Sequence, residues 1–263
     1  MTTLLPSWYV DNPHLLTGYR PVRASVRACL RSVLPWPVHN ETVNIWTHLL
    51  GAVAAAGCLW GEAQRWMCGD GGDDALFLAL YLAGAVAVLG GSAVAHTMFC
   101  HSESVCAGCL RADYACIALY LAGWCAAALH FARLGDVGPY QAVAGLGFVA
   151  CAARAAWDPH FFDLGDGPLA NRLLTFAAPV VAGLAVPLVR SARLRGFVGL
   201  HALAAGPGLA AYALRIPERW FPRRFDLFGA SHQLWHLGVL AGLWVSLQFC
   251  FTQEIGAPIV AGG

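Results

Sequence analysis

Charged residues are scarce in this 263-residue sequence, and lysine is absent from it. Only 12% of the residues carry a charge, all sixteen basic residues are arginine, and the formal net charge is +1. No basic stripe is therefore available to release counterions from a phosphate backbone, which argues against a nucleic-acid partner. The composition is 58% hydrophobic with a mean hydropathy of +0.58. A water-soluble core does not explain these values, which are typical of polytopic membrane proteins.

Two sequence patterns are also missing. The beginning, MTTLLPSWYVDNPHLL, lacks a basic segment followed by an apolar stretch and a small-residue cleavage site, so we expect no signal peptide. The ten cysteines lie mostly within apolar runs, where a free cysteine usually packs as a small hydrophobe. Cys106 and Cys109 form a CxxC motif without the second pair that gives a zinc ribbon its specificity.

Seven stretches are apolar and long enough to cross a membrane, which requires roughly 17 to 25 residues. They cover residues 45–64, 75–99, 113–132, 137–156, 172–189, 196–214 and 231–250. The sequence therefore predicts an all-α membrane protein, a seven-transmembrane helical bundle. We divide it into an amino-terminal segment (1–44), a membrane domain (45–250) and a short carboxyl-terminal tail (251–263).

The distribution of arginine predicts the direction of the chain across the membrane, because cytoplasmic loops are enriched in basic residues. Eleven arginines fall in the amino-terminal segment and the second, fourth and sixth loops, and the other five fall in the remaining loops. This balance favours a cytoplasmic amino terminus and an outer or lumenal carboxyl terminus. That direction is the reverse of the one usual for G-protein-coupled receptors.

Histidines near the inner ends of the spans are candidates for a metal site, because ionisable groups within a membrane are costly. His232 and His236 lie four residues apart and share one helix face. Two imidazoles in this arrangement can bind one metal ion, although no Glu lies between them as in an HExxH motif. A catalytic zinc site needs a third protein ligand. His96, in the last turns of the second span, and His48, at the start of the first, both have a suitable depth.

Other polar residues are ranked by the same depth argument. Asp113, at the start of the predicted third span, is interpreted as a helix cap or as a general base that orients a metal-bound water. Ser92 lies one turn before His96 on the same face. His130 and His201 fall at the outer side, so we expect them to be interfacial or packing residues, and His101 is expected to face a loop.

Several long motifs, in order, resemble the progestin and adipoQ receptor family, in particular its adiponectin-receptor-like branch. They are DNPHLLTGYRP, HNETVNIWTHLLG, SAVAHTMFCHSE, ADYACIAL and IPERWFPRRFDLFGASHQLWH. The resemblance covers nearly the whole chain, from about residue 11 to 250. It implies a seven-helix fold with an inner amino terminus. The motifs also resemble a Golgi-resident branch, so the expected compartment is either the Golgi and other endomembranes or the plasma membrane.

The resemblance further implies a Zn²⁺ ion held by three histidines near the cytoplasmic face. By motif, these ligands are His96, His232 and His236, whereas His48 has no ligand role. Asp113 is then the residue that contacts the zinc-bound water, and Ser92 the serine beside the first ligand. If all three histidines bind one Zn²⁺, their ligating nitrogens should lie within about 4 Å of one another.

These implications lead to a zinc-dependent hydrolase of a lipid amide as the leading functional hypothesis, with ceramide as the expected membrane-lipid partner. The alternative is a lipid or hormone receptor, or a signalling scaffold, in which zinc is structural. A transporter is a third hypothesis, but charged residues at mid-depth and broken-helix repeats are lacking.

Overall fold

The computed structural model describes residues 5–10, 12–34, 36–158, 160–161 and 166–255, and its regular structure is helical. A 3-10 turn at Ser7–Tyr9 precedes α1 (Val26–Arg31), α2 (Thr42–Met67), α3 (Gly72–Met98), α4 (Glu103–Phe131), α5 (Gly138–Trp157), α6 (Asp166–Arg190), α7 (Ala192–Leu214) and α8 (Ser231–Ile255). Most of the predicted tail, from residue 256 onward, lies outside the described residues, as do positions 1–4, 11 and 35 of the predicted amino-terminal segment.

The seven predicted spans correspond to helices α2 to α8, and the prediction of an all-α membrane protein is confirmed. Within the described ranges, six helices are long and apolar enough to cross a membrane. They are Thr42–Met67, Gly72–Met98, Glu103–Phe131, Leu169–Arg190, Ala192–Leu214 and Ser231–Gln253. The seventh, α5, is a 20-residue helix that packs against α4 and α6. The number of crossings and the direction of the chain therefore stay predictions.

Helix α4 begins about ten residues earlier than the sequence predicted. Ser102 has the extended backbone of an N-cap residue, and Glu103 places a carboxylate in the first turn, where it interacts favourably with the helix dipole. The polar stretch after Glu103 was interpreted as a loop, but it forms turns of α4 that bury Cys106. Asp113 consequently lies inside the helix, and its interpretation as an amino-terminal cap is wrong.

Neighbouring helices in the sequence pack side by side, and α8 closes the bundle by packing against α2. Helix α8 also contacts α3 and α4, so three earlier helices surround its inner face. The core consists largely of apolar side chains from α3 and α4, including Tyr81, Leu89 and Leu129. This arrangement brings the beginning of α8 next to the beginning of α2 and the end of α3.

Helices α7 and α8 approach each other closely at a pair of glycines. A Cβ atom added to Gly208 would lie 2.6 Å from the carbonyl oxygen of Leu234, and one added to Gly238 would lie 3.0 Å from that of Ala205. Small residues allow helix backbones to come this close in membrane bundles. Leu234 lies between the two histidines of α8, so α7 packs directly against the turn of α8 that carries them.

Candidate metal centre

Three histidines from two helices converge at the end of the bundle that carries the amino-terminal segment. His96 lies in the last turn of α3, and His232 and His236 lie in the first two turns of α8. One ligating atom from each lies within 4.8 Å of the other two. This spread is slightly wider than the expected 4 Å, but the side chains converge and do not splay to different helix faces. The predicted cluster is confirmed, whereas its metal remains a prediction.

The three rings meet nearly edge to face. Ring centroids are separated by 5.0 Å for His96 and His232, 4.8 Å for His96 and His236, and 5.0 Å for His232 and His236. His96 and His236 are each 2% exposed, and His232 is partly buried. This geometry brings nitrogen atoms of three imidazoles together in a site largely removed from solvent.

The His96 ring is held by Glu41, the residue immediately before α2. Nδ1 of His96 lies 2.7 Å from Oε2 of Glu41. Burial alone would raise the pKa of Glu41, but the adjacent His96 imidazole and the Arg20 guanidinium lower the pKa below its ordinary value. Glu41 is therefore a carboxylate that accepts a hydrogen bond, and His96 donates from Nδ1. In the neutral ring, the lone pair is then on Nε2.

The first turn of α2 holds the His236 ring in a similar way. Nδ1 of His236 donates to the carbonyl oxygen of Asn44 over 3.2 Å. The Asn44 side-chain amide in turn donates to Oε2 of Glu41 over 2.7 Å. Residues three positions apart at the start of α2 thus orient two histidines that come from different helices.

Arg20 connects the amino-terminal segment to the end of α3. Arg20 is 5% exposed, and its guanidinium donates to the carbonyl oxygens of His96, at 2.5 Å, and Thr97, at 2.9 Å. It also donates to Oγ of Ser32 at 2.7 Å. Carbonyl groups in the last turn of a helix lack intrahelical partners, so Arg20 satisfies two of them and fixes the backbone that carries His96.

The beginning of α8 is held by the side chains of Glu218, which precedes the helix, and Gln233, in its first turn. Glu218 is fully buried and accepts hydrogen bonds from Asn12 Nδ2, at 2.8 Å, from the Ser231 backbone N–H, at 2.8 Å, and from the Ser231 hydroxyl. Gln233 donates from Nε2 to the carbonyl oxygens of Asn40, at 3.1 Å, and Leu227, at 2.9 Å. These bonds hold the turn that precedes His236 against the entry to α2.

His48, the competing candidate for the third ligand, does not belong to the three-histidine cluster among the described residues. Its ring stacks on that of His236 with centroids 3.6 Å apart and an angle of 10° between the planes. His48 is 3% exposed, and neither of its ring nitrogens has a hydrogen-bond partner in the described part of the chain. Its contact therefore limits the rotation of the His236 ring.

Asp113 and Ser92, the two predicted catalytic residues, lie on the helices that surround the cluster. Oδ1 of Asp113 is buried and has no hydrogen-bond partner among the described residues. Asp113 lies on α4, which packs against α3, the helix that carries His96. Ser92 is 3% exposed and lies one turn before His96 in α3. Ser92 is thus one turn from the first histidine and Asp113 lies on the adjacent helix, and their catalytic roles stay predictions.

The remaining histidines considered in the sequence are not members of the cluster in the described part of the chain. Nε2 of His130 is 2.6 Å from Oδ1 of Asp74, at the other end of α3. Nδ1 of His201 is 3.1 Å from Oγ of Ser246. His101 lies beyond α3 and contacts the neighbouring Ser102. The first two have local polar partners, so they need no metal to explain their position in the bundle.

Sequence reasoning missed the side chains that hold the cluster in place: Arg20, Glu41, Asn44, Glu218 and Gln233. All five lie inside the long motifs that carried the family resemblance: DNPHLLTGYRP, HNETVN and IPERWFP through SHQLWH. Glu41 precedes an apolar span and looks like an ordinary helix-entry residue in the sequence. The available signal was the polarity of these motifs beside a membrane span.

A polar cavity borders His96 and His232 at this end of the bundle. Asn12, Arg172, Tyr212 and Arg215 contribute to its lining, together with Glu41. The Tyr212 ring meets His232 edge to face, with centroids 5.0 Å apart. The cavity is therefore lined by two of the three histidines together with charged and neutral hydrogen-bonding groups.

Comparison with known proteins supports the resemblance inferred from the motifs. An adiponectin receptor protein of Drosophila melanogaster is 32% identical over 255 residues, covering 92% of this chain and 56% of the relative. Progestin and adipoQ receptor-like protein 1 of Caenorhabditis elegans is 31% identical over 258 residues, covering 92% and 57%. Heptahelical transmembrane protein 3 of Arabidopsis thaliana is 27% identical over 299 residues, covering 94% and 84%.

The chain spans just over half the length of the first two relatives. The matches to the three relatives nevertheless cover 92%, 92% and 94% of this chain, and the heptahelical name of the plant relative agrees with a multi-pass membrane protein. A family model described as haemolysin-III related matches residues 36–247, a range that contains all three clustered histidines. The chain therefore belongs to the haemolysin-III-related family and is a receptor-like, multi-pass membrane protein of the progestin and adipoQ receptor type.

Proposed function

We propose that this protein is a zinc-dependent intramembrane hydrolase of a lipid amide, with ceramide as its substrate. The observation that carries the proposal is the number of converging ligands. Within the described part of the chain, the cluster contains three histidines and no fourth His, Cys, Asp or Glu. Structural zinc sites usually have four protein ligands, whereas catalytic sites have three and leave one position open.

The chemistry of the donor set fits zinc. Neutral imidazole nitrogen is a ligand suited to Zn²⁺, and hydrogen bonds from Nδ1 to Glu41 and to the Asn44 carbonyl leave Nε2 of His96 and His236 to bind it. A zinc ion at this site would supply a Lewis acid that polarises an amide carbonyl and makes water nucleophilic near neutral pH.

Asp113 is the proposed general base. Its buried Oδ1 has no competing hydrogen-bond partner among the described residues, so it is available to accept a proton from the attacking water. It would return that proton to the amine nitrogen as the amide C–N bond breaks, and the products would be a fatty acid and sphingosine. The hydroxyl of Ser92 would donate a hydrogen bond to the carbonyl oxygen.

The position of the site supports a lipid substrate with a polar head. The cavity beside His96 and His232 has polar lining residues that suit the head, and the helices of the bundle expose large apolar side chains on their outer surface. The acyl chain would then lie among the helices, with the amide near the histidines. The choice of ceramide among lipid amides rests on the family resemblance.

The proposal is tested by measuring zinc content and fatty-acid release from ceramide for the purified wild type and for Asp113→Ala. We expect one zinc per chain in both proteins and loss of turnover in the variant, because the base is removed and the ligands remain. Asp73→Ala is the matched control, since Asp73 is exposed at the start of α3, far from His96. It should retain both zinc and turnover.

Equal and negligible turnover in wild type and Asp113→Ala, with zinc retained, would contradict the hydrolase. That outcome would favour a second candidate, a receptor in which the metal is structural. The contacts of Arg20 with the backbone of His96 favour this candidate, because they link the cluster to the amino-terminal segment. The names of the two animal relatives also describe receptors.

A further inference from the structure

Glu41 occupies a helix terminus but does not cap its own helix. It is the N-cap residue of α2, and its side chain makes no capping hydrogen bond there. The carboxylate instead reaches His96, which lies 55 positions away in sequence on α3, with a 2.7 Å separation between Oε2 and Nδ1. A residue that gives up the local capping bond for a distant contact is acting on that distant side chain.

The orientation of this carboxylate is itself supported. Asn44 donates to the same oxygen, Oε2, over 2.7 Å, and Glu41 is only 15% exposed. The positive end of the α2 dipole also stabilises an anion at this position. Glu41 is thus held as a carboxylate in one arrangement before any metal binds.

A carboxylate hydrogen-bonded to one nitrogen of a histidine has two consequences for the other nitrogen. It fixes the tautomer, so the lone pair is on Nε2, and it raises the basicity of that lone pair. It also fixes the plane of the ring. In metal sites, loss of such a partner typically weakens metal binding by about 10- to 100-fold.

We propose that Glu41 is a positioning residue for the metal centre, which sets the tautomer and ring orientation of His96 and so strengthens zinc binding. This inference rests on the proposed zinc site. It goes beyond that proposal by assigning part of the zinc affinity to a residue that does not ligate the metal. The beginning of α2 then acts as a support for ligands carried by α3 and α8.

The test measures zinc affinity by chelator competition for the wild type, Glu41→Gln and Glu41→Ala. Glu41→Gln keeps the shape and one acceptor oxygen but removes the charge, so we expect binding to weaken by about 10-fold. Glu41→Ala removes the partner altogether and should approach a loss of about 100-fold. Glu62→Gln is the matched control. Glu62 is a buried glutamate of α2 that pairs with Arg65, and the zinc affinity of this variant should equal that of the wild type.

Two further measurements separate positioning from a purely structural contact. The visible absorption spectrum of the Co²⁺-substituted protein reports the ligand field, and we expect its bands to shift in Glu41→Gln but not in Glu62→Gln. Thermal unfolding of the metal-free proteins reports stability. A lower unfolding temperature in Glu41→Gln, with unchanged zinc affinity and an unchanged Co²⁺ spectrum, would overturn the inference.

The outcome also distinguishes this inference from the proposed function. A wild type that binds neither Zn²⁺ nor Co²⁺ would overturn the metal site itself, and the role of Glu41 with it. A wild type that binds zinc, with Glu41→Gln and Glu41→Ala binding it equally well, would overturn only the positioning role. Because the glutamine variant preserves the side-chain shape, it serves as the decisive variant if Glu41→Ala fails to fold.

Discussion

Helix α3 has a polar cluster at each end, and both clusters contain histidine. At its beginning, Asp74 contacts Nε2 of His130 at 2.6 Å and forms two hydrogen bonds with Arg133, at 2.8 and 2.5 Å. At its end, His96 meets His232 and His236. Asp74 and His96 are 22 residues apart, about 33 Å along the helix.

The two clusters differ in how their groups are satisfied. At the beginning of α3, a carboxylate faces an arginine and a histidine, so opposite charges and hydrogen bonds complete the cluster from within. At the end of α3, three imidazoles converge, and the carboxylate of Glu41 lies behind one of them, on its Nδ1. The three imidazoles at the end of α3 present nitrogen lone pairs that a bound cation would stabilise. The cluster at the beginning of α3 is already an ion pair, so it needs no bound ion. A histidine at a helix end therefore indicates a metal site only when the contacts of both of its ring nitrogens are known.

The largest expected effect is a loss of bound zinc when a histidine is removed from the cluster at the end of α3 but not from the cluster at its beginning. Replacement of His232 by alanine should abolish stoichiometric zinc binding, because two protein ligands do not complete a catalytic site. His130→Ala makes the same change at the opposite cluster and should leave zinc content at the wild-type level. Metal analysis of the purified proteins checks both. Zinc retained in His232→Ala and lost in His130→Ala would reverse the comparison.

A second substitution acts on the metal centre through packing alone. Gly208→Ala places a methyl group against the carbonyl oxygen of Leu234, so α7 and α8 must separate. We expect the free energy of unfolding to fall by about 1–3 kcal/mol and zinc binding to weaken, because Leu234 lies between two ligands. The control is Gly199→Ala on the same helix, where an added Cβ meets no atom within 4 Å in the described structure. Equal stability and equal zinc affinity in the two variants would contradict the prediction.

The smallest effect is expected at the opposite cluster. Asp74→Asn removes the charge that faces Arg133, but the side chains of these residues are 22% and 36% exposed, so solvent weakens their attraction. We expect the free energy of unfolding to fall by about 1 kcal/mol or less. Thermal unfolding measures this change, and zinc content should stay constant. A loss of zinc in Asp74→Asn would show that the two ends are coupled through α3.

The sequence was a good guide to the helices and to the three histidines, for different reasons. Span positions follow from apolar composition, which is a local property, so helices α2 to α8 were all expected, and apart from the beginnings of α4 and α6 their ends lie within about five residues of the prediction. The pairing of His232 with His236 follows from helical periodicity. The counting of spans left both His96 and His48 as candidates for the third ligand, and the family resemblance selected His96. The beginning of α4 was missed because the polar residues before position 113 were interpreted as a loop. Ser102 and Glu103 in fact favour helix initiation at that point.

Other parts of the site depend on contacts that no local pattern contains. His48 and His96 have a similar predicted depth, and depth alone did not separate them. Packing shows that the His48 ring stacks on His236, whereas His96 joins the cluster. Glu41 and Arg20 likewise have no local pattern that connects them to His96. Their roles depend on the angles at which α2 and the amino-terminal segment meet α3.

The sequence alone determined the class of protein and the approximate helices, because composition and helical periodicity act over short distances. Its motifs indicated the three histidines that can share a metal ion, through the family resemblance. The tertiary structure decided which nitrogen of His96 and His236 is left to bind a metal, and it placed Asp113 inside a helix. The physical reason is that hydrogen bonds between distant segments fix the tautomer and orientation of a side chain. Those bonds exist only after the helices have packed.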